Sequence, residues 1–530
     1  MDRPGTRCLL SAILAMALGA PAAHSQATEG VYALTLSNDT DAPPVPREFR
    51  GVWIATVGNI DWPSRPGLPV DSAKAELTAL LDQAARLRLN AVIFQVRAAA
   101  DAFYRSPYEP WSVYLTGRSG RAPSPVWDPL TFAVSEAHQR GLELHAWFNP
   151  YRARYRGDRG TLSARHVSRT MAAVVKSYGP YLWMDPGEDA VRAHTMKVIL
   201  DVVRRYDIDG VHIDDYFYPY PERDRRGRAI PFPDAPSWNR YVRNGGKLSR
   251  EDWRRQNVDL LVESLYREIK REKPWVKFGI SPFGIWRPGF PEAVRGLDAF
   301  QVLYADSRRW LVEGWLDYFV PQLYWQVRAP QQSYPSLLSW WADQNGRGRH
   351  LWPGNGTFRV TDAGALRWPA SEVVDQIRVT RDQPGASGNV HFNMTALVRG
   401  SDALDQRLLD GPYAKLALVP ASPWLSDTSP RAPTVTVTTR PQRLDLRITS
   451  TADADRTAAG STPRWWLVRA RYEDGWRAQV IDAAERTVGV PASSGGELPD
   501  LVVVNAIDRA GVESKAVRVE TAGDGSGGSR

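Results

Sequence analysis

The chain alternates short apolar runs with longer amphipathic segments between residues 50 and 392. Short apolar runs bounded by glycine, proline and polar residues are typical of buried strands, whereas apolar residues three and four positions apart indicate helices. Strands are predicted at residues 50–57, 91–97, 142–148, 210–214, 277–282, 318–324, 350–353 and 389–392. Helices are predicted at residues 71–89, 129–140, 189–206, 251–272, 307–314, 336–344 and 370–381. Eight strands that alternate with helices predict a parallel (β/α)8 barrel, also called a TIM barrel.

The predicted barrel extends over residues 47–415, whereas about 250 residues are typical of this fold. Its loops must therefore be extended. The inserts at residues 149–187 and 217–250 follow the third and fourth strands. Because the loops after the strands line the catalytic end of such a barrel, we expect both inserts to wall a groove there.

Helical periodicity ends near residue 420, and short alternating runs follow at residues 434–438, 443–448, 465–472 and 501–506. They predict a small β-sandwich, and residues 502–514 resemble the late strands and turn of a fibronectin type III module. The sandwich could bind sugar, contact an envelope or division-site protein, or brace the barrel, and we expect Trp465, Trp466 and Trp476 to be exposed on it. The predicted organisation is a signal peptide at 1–25, a linker at 26–46, the barrel at 47–415, a linker at 416–432, the sandwich at 433–522 and a disordered tail at 523–530.

The N-terminus has the pattern of a secretory signal peptide, since Arg3 and Arg7 precede an apolar run at residues 9–20 and small residues follow. That run is too short to span a membrane, and no second hydrophobic span follows it. Cys8 precedes most of the run, whereas a lipoprotein cysteine would follow it. We therefore expect a soluble periplasmic or secreted protein without a lipid anchor, a disulfide or thiol chemistry.

The charge balance limits the partners. Loss of residues 1–25 would remove two arginines and one aspartate, so the formal net charge of +8 would fall to +7. Export and the lack of an RNA- or DNA-binding motif argue against a nucleic-acid partner. The basic charge suits an anionic polymer or an envelope surface, although an arginine-rich soluble surface would give the same value.

Two adjacent carboxylates, Asp214 and Asp215, follow the fourth predicted strand. Reactive side chains of TIM barrels collect where the strands end. Alternation along the strand directs Val211 and Ile213 toward the outer helices and directs His212 and Asp214 into the bore, which leaves Asp215 at the rim.

The ends of the other strands supply further polar and aromatic residues. Carboxylates flanked by aromatic rings suit a glycosidase, because sugar rings stack on aromatic faces and the leaving oxygen needs a proton. Tyr216 lies directly after the aspartates, and most of the 21 tryptophans are expected in ordinary packing. The remaining candidates are Arg97, Asp101, Glu109, His145, Asn149, Tyr151, Arg152, Trp286, Asp306, Gln322, Tyr324, Trp325, Asn355, His391 and Asn393.

Seven motifs lie in order along the predicted barrel: EFRGVW at 48–53, FQVR at 94–97, DAFY at 101–104, PYEPWS at 107–112, HAWFNPYR at 145–152, VHIDDY at 211–216 and PQLYW at 321–325. Together they resemble glycosyl-hydrolase-like family 10. The resemblance implies a (β/α)8 hydrolase. For the family's divisome-localised member it implies a substrate of peptidoglycan glycan strands stripped of their stem peptides. The family's relatives from enterobacteria are lipoproteins, whereas this chain lacks a cysteine at the predicted cleavage site and so departs from them.

Residues 209–214 also resemble the fourth strand of α-amylase-type barrels, in which a basic residue two positions earlier orients a nucleophilic aspartate. This makes Asp214 the nucleophile, or the carboxylate that stabilises an oxocarbenium-like transition state, with His212 keeping it ionised. The alternative is a structural Asp214 paired with Arg97 in a buried network. Asp215 could be the general acid, a ligand for a sugar hydroxyl, or a helix cap.

The fifth strand ends without a carboxylate, so the proton donor must come from elsewhere. Asp101, Glu109 and Asp306 are candidates, because desolvation could raise a carboxyl pKa on these loops toward neutrality. Glu109 has the most apolar local setting. Asp101 could instead tie its loop to Arg97 or Tyr104.

His145, Asn149 and Arg152 belong to one segment and are expected to bind substrate. Arg152 could pair with the lactyl carboxylate of muramic acid, or with a loop carboxylate. A metal site is the alternative, since three histidines and the two aspartates could converge in the bore. The chain has no His-x-His pair and no His-x-x-x-His spacing among those histidines, and we expect no metal and no cofactor.

Together these features predict an exported glycoside hydrolase that acts on an envelope polysaccharide, with denuded peptidoglycan as the expected substrate. One alternative is hydrolysis of an exogenous glucan or exopolysaccharide. The alternative from another class is a catalytically silent carbohydrate-binding protein.

Overall fold

A computed structural model describes residues 28–29, 34–37, 42–158, 160–426, 428–450 and 462–521. The predicted signal peptide and the predicted tail at 523–530 lie outside these residues. Within them, no helix is long and apolar enough to cross a membrane.

The described residues form strands throughout the chain. They are β1 Thr28–Glu29, β2 Leu34–Ser37, β3 Phe49–Ile54, β4 Ala91–Arg97, β5 Glu143–Phe148, β6 Arg152–Arg154, β7 Val175–Tyr178, β8 Tyr181–Met184, β9 Gly210–Ile213, β10 Lys277–Ile280, β11 Tyr318–Phe319, β12 Gln322–Leu323, β13 His350–Leu351, β14 Gly354–Asn355, β15 Gly388–His391, β16 Thr434–Arg440, β17 Arg443–Thr449, β18 Pro463–Tyr472, β19 Gly475–Asp482, β20 Thr487–Pro491, β21 Leu501–Asp508 and β22 Ala516–Glu520.

The helices lie mostly between barrel strands. They are α1 Val70–Arg86, α2 Val113–Thr116, α3 Pro129–Gln139, α4 Val167–Thr170, α5 Asp189–Arg205, α6 Ala235–Arg243, α7 Arg250–Glu272, α8 Ala299–Val302, α9 Ser307–Glu313, α10 Tyr334–Gln344, α11 Ala370–Asp382, α12 Met394–Arg399 and α13 Leu404–Asp410.

The strands β3 to β5 and β9 to β15 form one parallel sheet that closes on itself. The ladder runs from β3 through β4, β5, β9 and β10 to β11, and β15 pairs with β3. The sixth and seventh barrel strands are each split by a proline, Pro321 and Pro353, which has no N–H to donate. Their first halves, β11 and β13, pair with each other, as do their second halves, β12 and β14. The predicted TIM barrel is therefore confirmed.

Alternation along the barrel strands separates two layers of packing. Val211 and Ile213 join the large cluster shared with the helices, as predicted. The bore is filled mainly by rings, including Trp53, Trp147 and Tyr318. Glycine makes room for one of them: a Cβ at Gly279 would lie 1.9 Å from the ring of Tyr318.

The two predicted inserts form one wall at the carboxyl end of the barrel. The first contains α4 and the antiparallel sheet β6-β8-β7, and the second contains α6. They contact each other through several hydrogen bonds, which include one from Trp183 Nε1 to the Phe217 carbonyl at 2.9 Å and one from Ser237 Oγ to Asp185 at 2.7 Å.

The C-terminal strands form two antiparallel sheets, β1-β16-β17-β20 and β19-β18-β21-β22-β2. Residues that were expected to form a linker thus contribute β1 and β2 to these sheets. Trp465 and Trp466 are buried, contrary to expectation, while Trp476 is half-buried. Trp466 packs in the sandwich core, and the Trp465 ring meets His138 of α3 edge-on at 5.9 Å.

The sandwich packs against the amino-terminal end of the barrel. Asp209, which directly precedes β9, accepts a hydrogen bond at 2.8 Å from His138 and lies 3.5 Å from Arg464 of β18. Lys277 at the start of β10 donates to the Arg509 carbonyl at 3.3 Å. This contact lies at the opposite end of the barrel from the strand ends that hold Asp214, so it favours a bracing role for the sandwich.

Candidate active site

A cavity of about 320 Å³ opens at the carboxyl end of the barrel strands. Its walls combine aromatic rings with few polar groups, as ligand sites usually do. The lining residues are Trp53, Ala55, Val57, Ile60, Gln95, Trp147, Arg152, Tyr155, Asp214, Asp215, Tyr216, Tyr220, Ser281, Phe283, Gln322, Tyr324 and Phe392.

Asp214 and Asp215 follow the last residue of β9, and both are almost completely buried. The Asp214 Oδ2 atom accepts hydrogen bonds from Asn149 Nδ2 and from Trp147 Nε1, the latter at 3.2 Å. The Oδ1 atom of Asp214 is buried and has no hydrogen-bond partner among the described residues. Asp215 accepts hydrogen bonds from the Tyr220 hydroxyl and from the Gln322 side chain.

The surroundings favour a proton on this carboxylate pair. Burial, followed by the charge of Asp215, raises the pKa of Asp214 to about 7, against the charge of Arg152 and the hydrogen bonds to the carboxylate. Burial also raises the pKa of Asp215, although Tyr220 and Gln322 stabilise its ionised form. Since two neighbouring carboxylates disfavour a second negative charge, the pair retains one proton near neutral pH.

His212 does not have the predicted role of keeping Asp214 ionised. Its Nε2 atom accepts a hydrogen bond from Trp53 Nε1 at 3.2 Å, and its Nδ1 atom lies 3.2 Å from the Tyr318 hydroxyl. Burial, and then the electrostatic effect of His145, lower the pKa of His212 well below its ordinary value. His212 is therefore neutral, and it positions Trp53 and Tyr318 in the bore.

Glu109, which its apolar neighbours suggested as a proton donor, lies outside the cavity lining. It forms two hydrogen bonds with Arg97, at 2.6 and 2.8 Å, and one with His194 of α5 at 2.9 Å. Burial alone would raise the pKa of Glu109, but the charge of Arg97 and these hydrogen bonds lower it to about 2. Glu109 is ionised at neutral pH, and Arg97 pairs with it rather than with Asp214 or a substrate.

The other two predicted proton donors also lie outside the cavity lining. Asp101 closes its own loop by accepting the backbone N–H groups of Ala98 and Ala99 at 3.2 and 2.9 Å. Asp306 is the N-cap of α9 and accepts a hydrogen bond from Trp286 Nε1 at 3.1 Å. Asp101, Asp306 and Trp286 are therefore held by hydrogen bonds away from the cavity lining.

Asn149 and Arg152 support the carboxylate pair. Asn149 Oδ1 accepts hydrogen bonds at 2.6 Å from both Gln95 Nε2 and Arg152 Nη2, which directs its amide N–H toward Asp214. The Arg152 guanidinium lies 4.9 Å from the ring centroid of Tyr216. Arg152 and Tyr216 line the cavity, as predicted for substrate ligands.

The remaining predicted ligands divide into two groups. Gln322 and Tyr324 line the cavity. Four others do not line it. His145 bonds to Tyr318 and Glu143 deeper in the bore, and Asn355 bonds to Gln376 and Asn389. Trp325 packs on Phe283, and Tyr151 is fully buried. His391 bonds to Thr357 and Tyr413, and Asn393 to Asp61.

Several lining residues were not predicted as ligands. Trp53 and Trp147 lie on the bore-facing side of β3 and β5, so period-two alternation was a signal for them. Tyr155 and Tyr220 come from the inserts, where no periodic pattern indicates which ring turns inward. Ser281 takes the place of a carboxylate at the end of the fifth barrel strand, and its hydroxyl is also buried without a partner.

No group of three or more histidine, cysteine, aspartate or glutamate side chains in the described part of the chain is arranged to hold a metal ion. The bore histidines are instead bonded to hydroxyl groups, carboxylates and an indole.

Residues 48–365 match the model of a family described as glycosyl hydrolase-like 10. Over 408 residues the chain is 41% identical to the glycosyl hydrolase YngK of Bacillus subtilis strain 168, which covers 76% of this chain and 78% of that protein. Over 315 residues it is 37% identical to the glycosyl hydrolase DigH of Escherichia coli strain K12, which covers 56% of this chain and 70% of that protein. Among solved structures, the catalytic domain of beta-amylase from Paenibacillus polymyxa has a TM-score of 0.46 at 12% identity and covers 70% of this chain and 99% of that domain.

Proposed function

The chain belongs to the glycosyl hydrolase-like 10 family, and from this premise we propose that it is an exported glycoside hydrolase whose catalytic groups are Asp214 and Asp215. The observation that supports this most directly is the carboxylate pair on the wall of an aromatic cavity. Burial raises the pKa of both aspartates, that of Asp214 to about 7, so the pair shares one proton near neutral pH. A carboxyl group that keeps its proton near neutral pH is suited to protonating a leaving oxygen.

The cavity also offers what a sugar ring needs. Trp53, Tyr216 and Phe392 supply apolar faces on which a ring can stack. Asp214 Oδ1 and Ser281 Oγ are buried polar atoms without partners among the described residues. Because an unpaired buried polar atom is costly, both favour a ligand that brings hydroxyl or amide groups.

We propose an envelope polysaccharide as the substrate, and peptidoglycan glycan strands without stem peptides in particular. Arg152 supports an acidic sugar, because the residue lines the cavity and its positive charge suits a lactyl carboxylate. The predicted export fits a substrate in the envelope. The barrel holds all of this machinery, and the sandwich braces its opposite end.

A comparison of four glycans as substrates tests this proposal. The purified mature protein is incubated with intact peptidoglycan, amidase-stripped glycan strands, an α-glucan and a neutral exopolysaccharide, and soluble products are identified by mass spectrometry. We expect muro-oligosaccharides from the stripped strands alone. Products from the glucan or the exopolysaccharide alone would move the substrate outside the envelope, and binding without any product would indicate a carbohydrate-binding protein.

A further inference from the structure

The cavity holds only one source of carboxylates in the described part of the chain. Asp214 and Asp215 are the acidic residues of its lining, and both come from the end of β9. Asp61 follows a lining residue, but its two oxygens accept hydrogen bonds from Ala55, Asn393 and Thr395 at 2.7 to 2.9 Å.

This placement is unsuited to the usual arrangement of two carboxylates. In most glycosidases one carboxylic acid protonates the leaving oxygen while a second carboxylate, flanking the bond, attacks the anomeric carbon or activates water. The fourth barrel strand, β9, lies four positions around the ring from the eighth, β15. The wall that faces the aspartates is built from Trp53, Phe392 and Tyr324, none of which can act as that carboxylate.

The unpartnered Oδ1 atom of Asp214 indicates what the missing group could be. This oxygen is buried in a residue that lines the cavity and has no geometrically defined hydrogen-bond partner among the described residues, while Oδ2 is held by Asn149 and Trp147. A substrate N–H group would satisfy it. Asp215, held by Tyr220 and Gln322, lines the same cavity, where it can reach a glycosidic oxygen.

We propose that the sugar supplies its own nucleophile: the substrate is a β-linked 2-acetamido-2-deoxy sugar, Asp214 orients its acetamido N–H, and Asp215 protonates the leaving oxygen. This inference rests on the glycosidase function proposed above. It extends that function by fixing the substrate class, the role of each aspartate and the stereochemical outcome. Substrate-assisted hydrolysis of this kind needs carboxylates on one side of the sugar only.

The reaction has two steps, and in each step one bond to C1 forms as another breaks. In the first, the acetamido carbonyl oxygen bonds to C1 as the bond from C1 to the leaving oxygen breaks, and the Asp215 proton passes to that oxygen. The N–H group of the resulting cyclic oxazolinium ion stays hydrogen-bonded to the Asp214 carboxylate. In the second, water gives a proton to Asp215 and bonds to C1, the ring opens and the acetamido group is restored. Two inversions at C1 give net retention.

Glycan strands with and without the N-acetyl group test whether the acetamido oxygen is the nucleophile. Stripped strands are compared with the same strands after N-deacetylation and after re-acetylation, and the anomer formed first is read by NMR spectroscopy. We expect the rate to fall at least 100-fold on deacetylation, to return on re-acetylation, and the β-anomer to form first. Equal rates on acetylated and deacetylated strands, or the α-anomer first, would overturn the inference while leaving the glycosidase function intact.

A binding measurement separates the inference from the proposed activity. The thiazoline derived from N-acetylglucosamine is a stable mimic of the cyclic intermediate, and its binding is measured by calorimetry. We expect the wild-type protein and the surface control Asp375→Asn, whose side chain is 51% exposed, to bind it, and Asp214→Asn to bind at least 100-fold more weakly. If no glycan is cleaved but this pattern holds, the proposed activity fails and the inferred site stands. If the wild-type protein does not bind the thiazoline, the inferred nucleophile is wrong.

Discussion

At the scale of single residues, the environment of each carboxyl group decides its chemistry. Asp214 and Glu109 are both buried, yet the pKa of Asp214 rises to about 7 while that of Glu109 falls to about 2. The difference is the neighbouring charge: Asp214 adjoins another carboxylate, whereas Glu109 contacts a guanidinium. An acid that must hold a proton at neutral pH is therefore found in the aspartate pair.

The pH dependence of the reaction should report this pair. Below pH 7 the pair holds one proton, and above pH 7 it loses that proton and with it the general acid. We expect kcat/KM on stripped glycan strands to fall about tenfold per pH unit above pH 7. A profile that stays level to pH 9 would contradict the assignment.

Trp147→Phe should move that alkaline limb. The indole N–H donates to Asp214 at 3.2 Å and stabilises its ionised form. Its removal should raise the pKa of Asp214, so the limb should shift to higher pH by roughly half to one unit. Trp340→Phe, which alters a ring stacked on Trp286 outside the cavity, is the matched control and should leave the limb in place.

From the sequence, the residues that line the cavity were easier to predict than the side chains to which buried residues bond. Asp214, Asp215, Arg152, Tyr216, Gln322 and Tyr324 were predicted and line the cavity, because strand alternation and the ends of barrel strands place them there. The contacts of Glu109 were not predicted, since the local sequence shows its apolar neighbours but not His194, which lies 85 positions away on α5. Long-range pairing has no local pattern from which to predict it.

At the scale of elements, the Arg97–Glu109 pair joins β4 to the loop that follows it, and His194 extends the contact to α5. Glu109→Gln would leave the Arg97 charge buried without a counter-ion. We expect this substitution to lower the free energy of unfolding by about 3–5 kcal/mol, measured by urea denaturation, with kcat reduced less than tenfold at 25 °C. A loss of kcat beyond 100-fold in protein that remains folded would restore Glu109 as the general acid.

The same pair predicts acid sensitivity. The pKa of Glu109 falls from 4.5 to about 2 on folding, so its stabilising contribution is complete above pH 4.5 and is lost as the pH falls toward 2. The shift corresponds to about 3 kcal/mol. Wild-type protein should lose this stabilisation over that pH range in urea titrations, and Glu109→Gln should not.

The barrel strands were predictable because each is a short apolar run between polar turns. The sheet β6-β8-β7 and the short strands β1 and β2 were not predicted. The partners of β1 and β2 are β16 and β22, about 400 and 480 residues further along the chain, and strands of two to four residues show no clear alternation. Their formation depends on the finished sandwich.

At the scale of the whole molecule, one end of the barrel opens into the cavity and the other end packs against the sandwich. Arg464 lies in the contact between β18 and Asp209, and Arg464→Ala should destabilise the barrel although the residue belongs to the sandwich. We expect a loss of roughly 1–3 kcal/mol, seen by calorimetry as one unfolding transition at a lower Tm, with kcat/KM unchanged at 25 °C. Arg477→Ala, which removes a largely exposed ion pair with Asp474, is the control and should leave Tm nearly unchanged. Two separate transitions in the wild-type protein would show that the sandwich does not brace the barrel.

The central claim is that the pair of aspartates after β9 hydrolyses an envelope glycan. The most direct test is mass spectrometry of the soluble products that wild-type protein, Asp214→Asn and Asp375→Asn release from amidase-stripped glycan strands. We predict muro-oligosaccharides from the wild-type protein and from Asp375→Asn, and a rate about 10²- to 10⁴-fold lower from a folded Asp214→Asn. Equal release by all three proteins would remove Asp214 from the mechanism and contradict the claim.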